Sequence, residues 1–154
     1  MTIVEKIVVA IPSYDRPEML ESTLRRLLLF ESVEKIVVEA DASEEEKLWA
    51  YKRILMKNPK KIVSELNVGR RGSTNARNAL LKLVAKNVGE VEYVLLLDDD
   101  CLLPHNRVIQ IMVDDLRMQD DVGIVGGRWV SLERRNIDPE FFLGGVPKKF
   151  FDTL

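Results

Sequence analysis

Tyr93-Val94-Leu95-Leu96-Leu97-Asp98-Asp99-Asp100 is the stretch on which the fold turns. Five apolar residues in a row, bounded by charge, read as a strand buried on both faces, the kind that parallel sheets place at their centre. Three adjacent carboxylates then stand where the strand ends. They repel one another, and desolvation worsens that repulsion. A hard divalent cation, Mg²⁺ or Mn²⁺, relieves it while keeping positions open for phosphate oxygens and water. In extended geometry Asp98 and Asp100 point to one side and Asp99 to the other, so the first and third can share an ion. The plainer alternative is an acidic turn that solubilises the end of a strand.

Outward from this stretch, short apolar runs alternate with helical periods. Ile7-Val8-Val9-Ala10-Ile11 is a β-branched strand that Pro12 is expected to end. Asp15 can cap a helix with Pro17 in its first turn and Leu20, Leu24, Leu27 and Leu28 on one face. Ile36-Val37-Val38 is a second strand. Ser43 can cap a helix bearing Leu48, Tyr51, Ile54 and Leu55, closed by Asn58-Pro59. Ile62-Val63 is a short third strand, and Ser73 or Thr74 starts a helix with Ala76, Leu80, Leu83 and Val84. Pro104 is expected to open a helix with Val108, Ile111, Met112 and Leu116, and Val122-Gly123-Ile124-Val125 to form a fifth strand. This order predicts an α/β fold: an open, mostly parallel sheet with helices on both faces. Residues 1–127 form the regular domain, and 128–154 are expected to be an irregular tail packed on it.

Composition narrows the function. The chain has 154 residues, a length suited to one domain, and 46% are hydrophobic, which excludes disorder. Lys and Arg total 23 against 25 Asp and Glu, a net charge of −2, so no basic field for nucleic acid exists. One cysteine, Cys101, and one histidine, His105, exclude a disulfide framework and a histidine metal cage. No run is long enough to span a membrane and no signal peptide is evident, so a reducing, cytoplasmic setting is expected. Abundant Lys and Glu with two glutamines resemble heat-adapted composition.

Ligands of open α/β sheets bind beyond the carboxyl ends of the strands. Here those ends carry Pro12-Ser13-Tyr14-Asp15, Glu39-Ala40-Asp41, Asn67-Val68-Gly69-Arg70-Arg71-Gly72, Asp98-Asp99-Asp100 and Gly126-Gly127-Arg128. Gly69 and Gly72 permit tight backbone, and the helix start at Ser73-Thr74 offers N–H groups to an anion. Arg77, off the apolar face of that helix, can bring its planar fork to a diphosphate or a base. Tyr14 can stack on a base, and Glu39 or Asp41 can accept from a base N–H or a ribose hydroxyl. The bland uses are ordinary packing for Tyr14 and solvation for the acids. His105 reads as a bystander and Cys101 as core filler, while Glu44-Glu45-Glu46 suits a helix N-terminus. Neither Gly-x-x-x-x-Gly-Lys-Ser/Thr nor Gly-x-Gly-x-x-Gly occurs.

In their order and spacing over residues 7–127, five of these pieces together resemble a family 2 glycosyltransferase of the GT-A fold. They are Val8 to Pro17, Ile36 to Ser43, Asn67-Val68-Gly69, Ala76-Arg77-Asn78-Ala79 and Val94 to Asp100. The resemblance implies a nucleotide-diphosphate-sugar donor, a UDP-sugar first, with Mn²⁺ or Mg²⁺ as cofactor and an acceptor that stays unknown. It implies that Pro12, Tyr14 and Asp15 hold the base together with one of Glu39 and Asp41. Asn67, Gly69, Arg77 and Asp99 follow as donor contacts, Asp98 lies by the ribose, and Asp98 and Asp100 bind the metal. The family reaction usually inverts the anomeric centre, an acceptor hydroxyl attacking as a carboxylate takes its proton. No catalytic base is identifiable, because Asp138, Glu140 and Asp152 sit in no matching context. The chain could therefore be part of a longer enzyme, a minimal enzyme or a silent nucleotide-sugar-binding module, and a homo-oligomer is compatible. A receiver-like signalling domain fits less well, since Pro12-Ser13-Tyr14 stands where paired acids belong. A nucleotidyltransferase lacks its Gly-rich signature after the first strand.

Overall fold

The computed structural model describes residues 6–88, 92–118, 121–126 and 146–147. Two compact units divide the chain, Met1–Asn106 and Arg107–Leu154. The first contains β1 (Ile7–Tyr14), α1 (Pro17–Leu27), β2 (Val33–Ala42), α2 (Glu45–Leu55), β3 (Ile62–Val68), α3 (Ser73–Asn87) and β4 (Val94–Leu96). Its sheet runs β3-β2-β1-β4, and every pairing in it is parallel. β-Branched runs favour these strands, and the capped helical stripes between them supply the crossovers that parallel pairs require.

Side chains alternate across a strand, so the sheet has two differently used faces. Val8, Ala10 and Val37 point to the face covered by α3 and pack with its Leu80 and Val84. Val9, Ile11, Ile36 and Val38 are likewise buried, and α1 and α2 lie together on that opposite face. Helices therefore cover both faces, as the periodicity predicts. Each fully buried aliphatic side chain contributes about 1.5–3 kcal/mol relative to exposure.

The differences from the sequence reading have local causes. Pro12 does not end β1, which runs on to Tyr14. Val8 donates its N–H to the Tyr93 carbonyl and Ala10 accepts from Leu97, so even-numbered residues turn their backbone toward β4. β4 stops at Leu96, and a missing N–H at Pro12 falls where no strand remains to pair. Among the described residues β4 lies at the edge of the sheet: it pairs only with β1, and Val94 and Leu96 are 40% and 53% exposed. An apolar run reports burial tendency and not the number of neighbouring strands.

Neither Asp15 nor Ser43 caps a helix. Arg16 precedes α1 and Glu44 precedes α2, both without a side-chain cap. β3 is longer than Ile62-Val63 because it follows β2 in register as far as Val68.

In the second unit α4 spans Arg107–Arg117, later than Pro104, and buries Ile109 and Val113; Ile111, expected on its apolar face, is 42% exposed. β5 (Val122–Ile124) is not a fifth parallel strand: it pairs antiparallel with β6 (Val146–Pro147). Strand periodicity carries no information about a partner so distant in sequence. The tail expected over 128–154 lies outside the described residues apart from β6. No described helix is long and apolar enough to cross a membrane.

Candidate functional site

Register sets the site. Pro12, Glu39 and Glu65 form one row across β1, β2 and β3, and Tyr14, Asp41 and Asn67 form the next. Both rows continue the alternation of Ala10 and Val37, so they lie on the α3 face. Ser13 lies on the other face, toward α2.

On the α1 and α2 face the middle acid of the triplet is anchored. Asp99 has no solvent exposure. Its Oδ2 accepts a 2.6 Å bond from Ser13 Oγ, and Arg16 Nη2 lies 2.5 Å from its Oδ1 as an ion pair without an aligned hydrogen bond. Tyr51 Oη is 2.7 Å from Ser13 Oγ and accepts the Arg16 backbone N–H at 2.9 Å. Because the Ser13 proton goes to Asp99, the Tyr51 hydroxyl donates to Ser13, and one chain runs from Arg16 through Tyr51 and Ser13 to Asp99. Thr23 of α1 donates to the Asp99 carbonyl at 2.7 Å. Burial pushes the Asp99 carboxyl above its ordinary range, and Ser13 and Arg16 pull against that. Burial also raises the Tyr51 phenol.

Anchoring Asp99 inward leaves its two neighbours outward. Asp98 and Asp100 side chains are 55% and 41% exposed. Arg77 Nη2 lies 3.1 Å from Asp98 Oδ1, and Arg16 Nη1 lies 2.9 Å from Asp100 Oδ2. Arg77 also donates to Ser73 at the start of α3. Among the described residues no three His, Cys, Asp or Glu side chains converge as a metal cage. The donor set is nonetheless hard: two exposed carboxylates suit Mg²⁺ or Mn²⁺, ions that take their remaining ligands from phosphate and water.

On the α3 face Glu39 and Asp41 are buried, at 0% and 2% exposure. Asn67 donates to Glu39 Oε1 at 2.9 Å, and the Arg71 backbone N–H donates to Asp41 Oδ2 at 2.7 Å. Glu39 Oε2 and Asp41 Oδ1 lack a donor. Burial, with the Asp41 charge beside it, pushes the Glu39 carboxyl up to about 7.

Tyr14 is half-buried, and the Arg70 guanidinium stands 5.0 Å from its ring centre. Asp15 adopts φ +53°, a left-handed conformation that aspartate tolerates. Its carboxylate then reaches the Ser43 N–H at 2.7 Å and the Ser43 hydroxyl, which lower its pKa. Gly69, at φ +90°, donates to the Ala42 carbonyl at 2.8 Å, and only glycine adopts that angle without strain. Pro12, Tyr14, Asp15, Glu39, Asp41, Asn67, Gly69, Arg77, Asp98 and Asp100 thus all belong to one rim of the first unit; Asp99, expected as a donor contact, is instead turned inward and fully buried against Ser13 and Arg16. His105 is exposed. Cys101 is half-buried and burial raises its thiol pKa, the opposite of an activated nucleophile.

Sequence reasoning passed over Ser13, Arg16, Thr23, Tyr51 and Arg71 as site residues. Thr23 carried a signal, a polar side chain inside the Leu20, Leu24 and Leu27 stripe. Tyr51 reads as core from its helical spacing, and it is core, but its hydroxyl demands a buried partner.

The sequence profile of glycosyl transferase family 2 matches residues 8–141. Among solved structures the chain is similar to the mannosyltransferase PcManGT from Pyrobaculum calidifontis in complex with GDP-Man and Mn²⁺. The TM-score is 0.63 at 23% identity, over 79% of this chain and 35% of that one. It is also similar to 4-diphosphocytidyl-2C-methyl-D-erythritol synthase, with TM-score 0.58 and 17% identity over 96% of this chain and 75% of that one. At these identities the likenesses establish the fold, and the chain spans about a third of the mannosyltransferase, the 35% it matches. No curated protein matches the sequence. The profile covers most of the chain and the parallel sheet with its rim of acids agrees with it: the chain belongs to glycosyl transferase family 2.

Proposed function

We propose that this chain is the donor-binding part of a glycosyltransferase that passes a sugar from a nucleoside diphosphate to an acceptor hydroxyl with inversion. The observation that carries this reading is the division of labour in the triplet, with Asp99 locked inward and Asp98 and Asp100 turned out beside Arg77 and Arg16. Asp98 and Asp100 would hold Mn²⁺ or Mg²⁺, which supplies charge neutralisation for the departing diphosphate. Arg77, on the first turns of α3, would take diphosphate oxygens with its planar fork, helped by the N-terminal end of that helix. The base would rest on Tyr14, between the Pro12–Asp15 turn and the Asn67–Gly69 segment, with the acids of β2 behind it. Asp99 serves as a positioning residue that keeps its neighbours outward. A UDP-sugar is the donor placed first and a GDP-sugar second.

Calorimetry tests the reading by titrating UDP and GDP into the protein with and without Mn²⁺. One nucleotide should bind, more tightly with the metal, and Asp98→Ala and Asp100→Ala should each weaken that binding at least about tenfold. Binding of neither, or binding indifferent to both substitutions, overturns it.

A further inference from the structure

Glu39, Asp41 and Glu65 crowd one face of two adjacent strands. Glu39 stands directly opposite Glu65 in register, and Asp41 is one step further along β2. Like charges so paired destabilise a sheet, and here two of the three have no access to water to dilute them. The cation that meets them is Arg71. Its Nη2 lies 2.8 Å from Glu65, its Nη1 3.7 Å from Glu39 and its Nε 3.9 Å from Asp41. Its side chain also donates to the Asn67 oxygen, and its backbone N–H donates to Asp41. A single residue thus ties the loop ahead of α3 to both strands, through main chain and side chain together. The next residue, Gly72, sits at φ +83° and its carbonyl accepts the first bond of α3 from Ala76 at 2.9 Å. Arg71 thus stands immediately before the residue that opens α3, and Arg77 follows within the first two turns.

We propose that Arg71 is a positioning residue for the donor, a clasp that fastens the Gly69–Gly72 loop to the buried acids of β2 and so sets Arg77 against Asp98. This deepens the donor-site reading above and rests on it. The acids of β2 act through the clasp, since buried side chains engaged by Arg71 and Asn67 reach the rim only by way of them. The groups that face Glu39 are Asp41 on its own strand, Glu65 on β3 and Arg71 on the loop; its β1 neighbour in the row, Pro12, carries no charge. A proton on Glu39 removes a charge beside Asp41, and it leaves Arg71 fewer charges to balance.

The test compares wild type, Arg71→Ala and Arg71→Lys by amide exchange over residues 69–77, by carbon-13 titration of the Glu39 carboxyl, and by UDP and GDP affinity with Mn²⁺. In Arg71→Ala, exchange should quicken roughly tenfold over 69–77. Glu39 should titrate above its wild-type value of about 7, because Arg71 holds it down. Nucleotide affinity should fall about tenfold. Arg71→Lys restores a charge without the fork, so it should bring the titration back and leave the loop loose; it also decides the matter if Arg71→Ala fails to fold. Unchanged exchange in both variants overturns the clasp. Faster exchange with unchanged affinity overturns its role in donor binding. Faster exchange beside a wild type that binds neither nucleotide overturns the donor reading and leaves the clasp standing.

Discussion

Asp99, in the turn after β4, and the Glu39–Asp41 pair on β2 are buried carboxylates beside β1, yet they are held in different ways. Asp99 has a hydroxyl donor aimed at one oxygen and, against the other, an arginine that it shares with Asp100. The β2 acids also have one donor each, Asn67 on Glu39 and the Arg71 N–H on Asp41, but their shared guanidinium stands 3.7–3.9 Å away; like Asp99, each leaves one oxygen without a donor. A buried charge persists only where partners repay its lost hydration. Asp99 is repaid by fixed groups on α1, α2 and β1, so it can serve as an anchor. The β2 acids are repaid by Asn67, a loop arginine and a proton on Glu39, and that proton leaves as pH rises.

The largest expected effect breaks the comparison on the β2 side. Glu39 titrates at about 7 in the folded chain, against 4.5 for an ordinary glutamate. Between those values the native chain keeps a proton that the unfolded chain has released. The stability Glu39 confers is therefore complete below about 4.5 and is lost as pH rises through about 7, a change on the order of 3 kcal/mol. Urea unfolding near pH 5 and near pH 8 checks this. Wild type should lose roughly 2–3 kcal/mol more than Glu39→Gln across that interval. Equal losses in the two proteins would mean that the Glu39 proton is not the cause.

Breaking the anchor on the other side comes second. Ser13→Ala takes the donor from Asp99 Oδ2 and the acceptor from the Tyr51 hydroxyl, both buried. Leaving such groups unpaired costs about 2 kcal/mol. The Asp99 carboxyl should also titrate higher than in wild type, since Ser13 pulls it down. Denaturant unfolding and carbon-13 titration read the two effects separately. Tyr51→Phe should cost less, about 1 kcal/mol, because Arg16 N–H at the part-buried end of the chain can turn to water. A Tyr51→Phe loss as large as that of Ser13→Ala would show that the hydroxyl chain acts as a unit rather than link by link.

The same contrast explains what the sequence made legible. Alternation of apolar runs and helical stripes depends on one element at a time, so it revealed β1 to β4, the helices and the rim that strand ends create. The split within the triplet was legible too, because side chains alternate along an extended strand. Partners that meet across the fold were not. Ser13 and Asp99 are 86 positions apart, and Asp41 and Arg71 are 30 apart. β5 and β6 failed for the same reason: a run of Val-Gly-Ile shows that a strand forms and not which strand it joins. Asp15 and Ser43 each look like a cap in isolation; in the fold they bond each other instead.

The smallest expected change in stability sharpens the comparison most. Asp98→Ala and Asp100→Ala remove carboxylates that are about half exposed and paired with arginines that are themselves 47% and 49% exposed. Such pairs are screened by water and hold long side chains at an entropic cost, so each substitution should shift unfolding by no more than about 0.5 kcal/mol. Neighbours in sequence would then differ severalfold from Asp99, whose anchoring by Ser13 alone is worth about 2 kcal/mol. If instead Asp98 proved as costly as the inner acid, Arg77 would be a structural partner of the triplet, as Arg16 already is through Asp99, and not free to meet a ligand's negative charge. A near-zero shift with nucleotide binding lost is the pattern of residues kept for a ligand: they contribute little to the fold because the fold holds Asp99 in their stead.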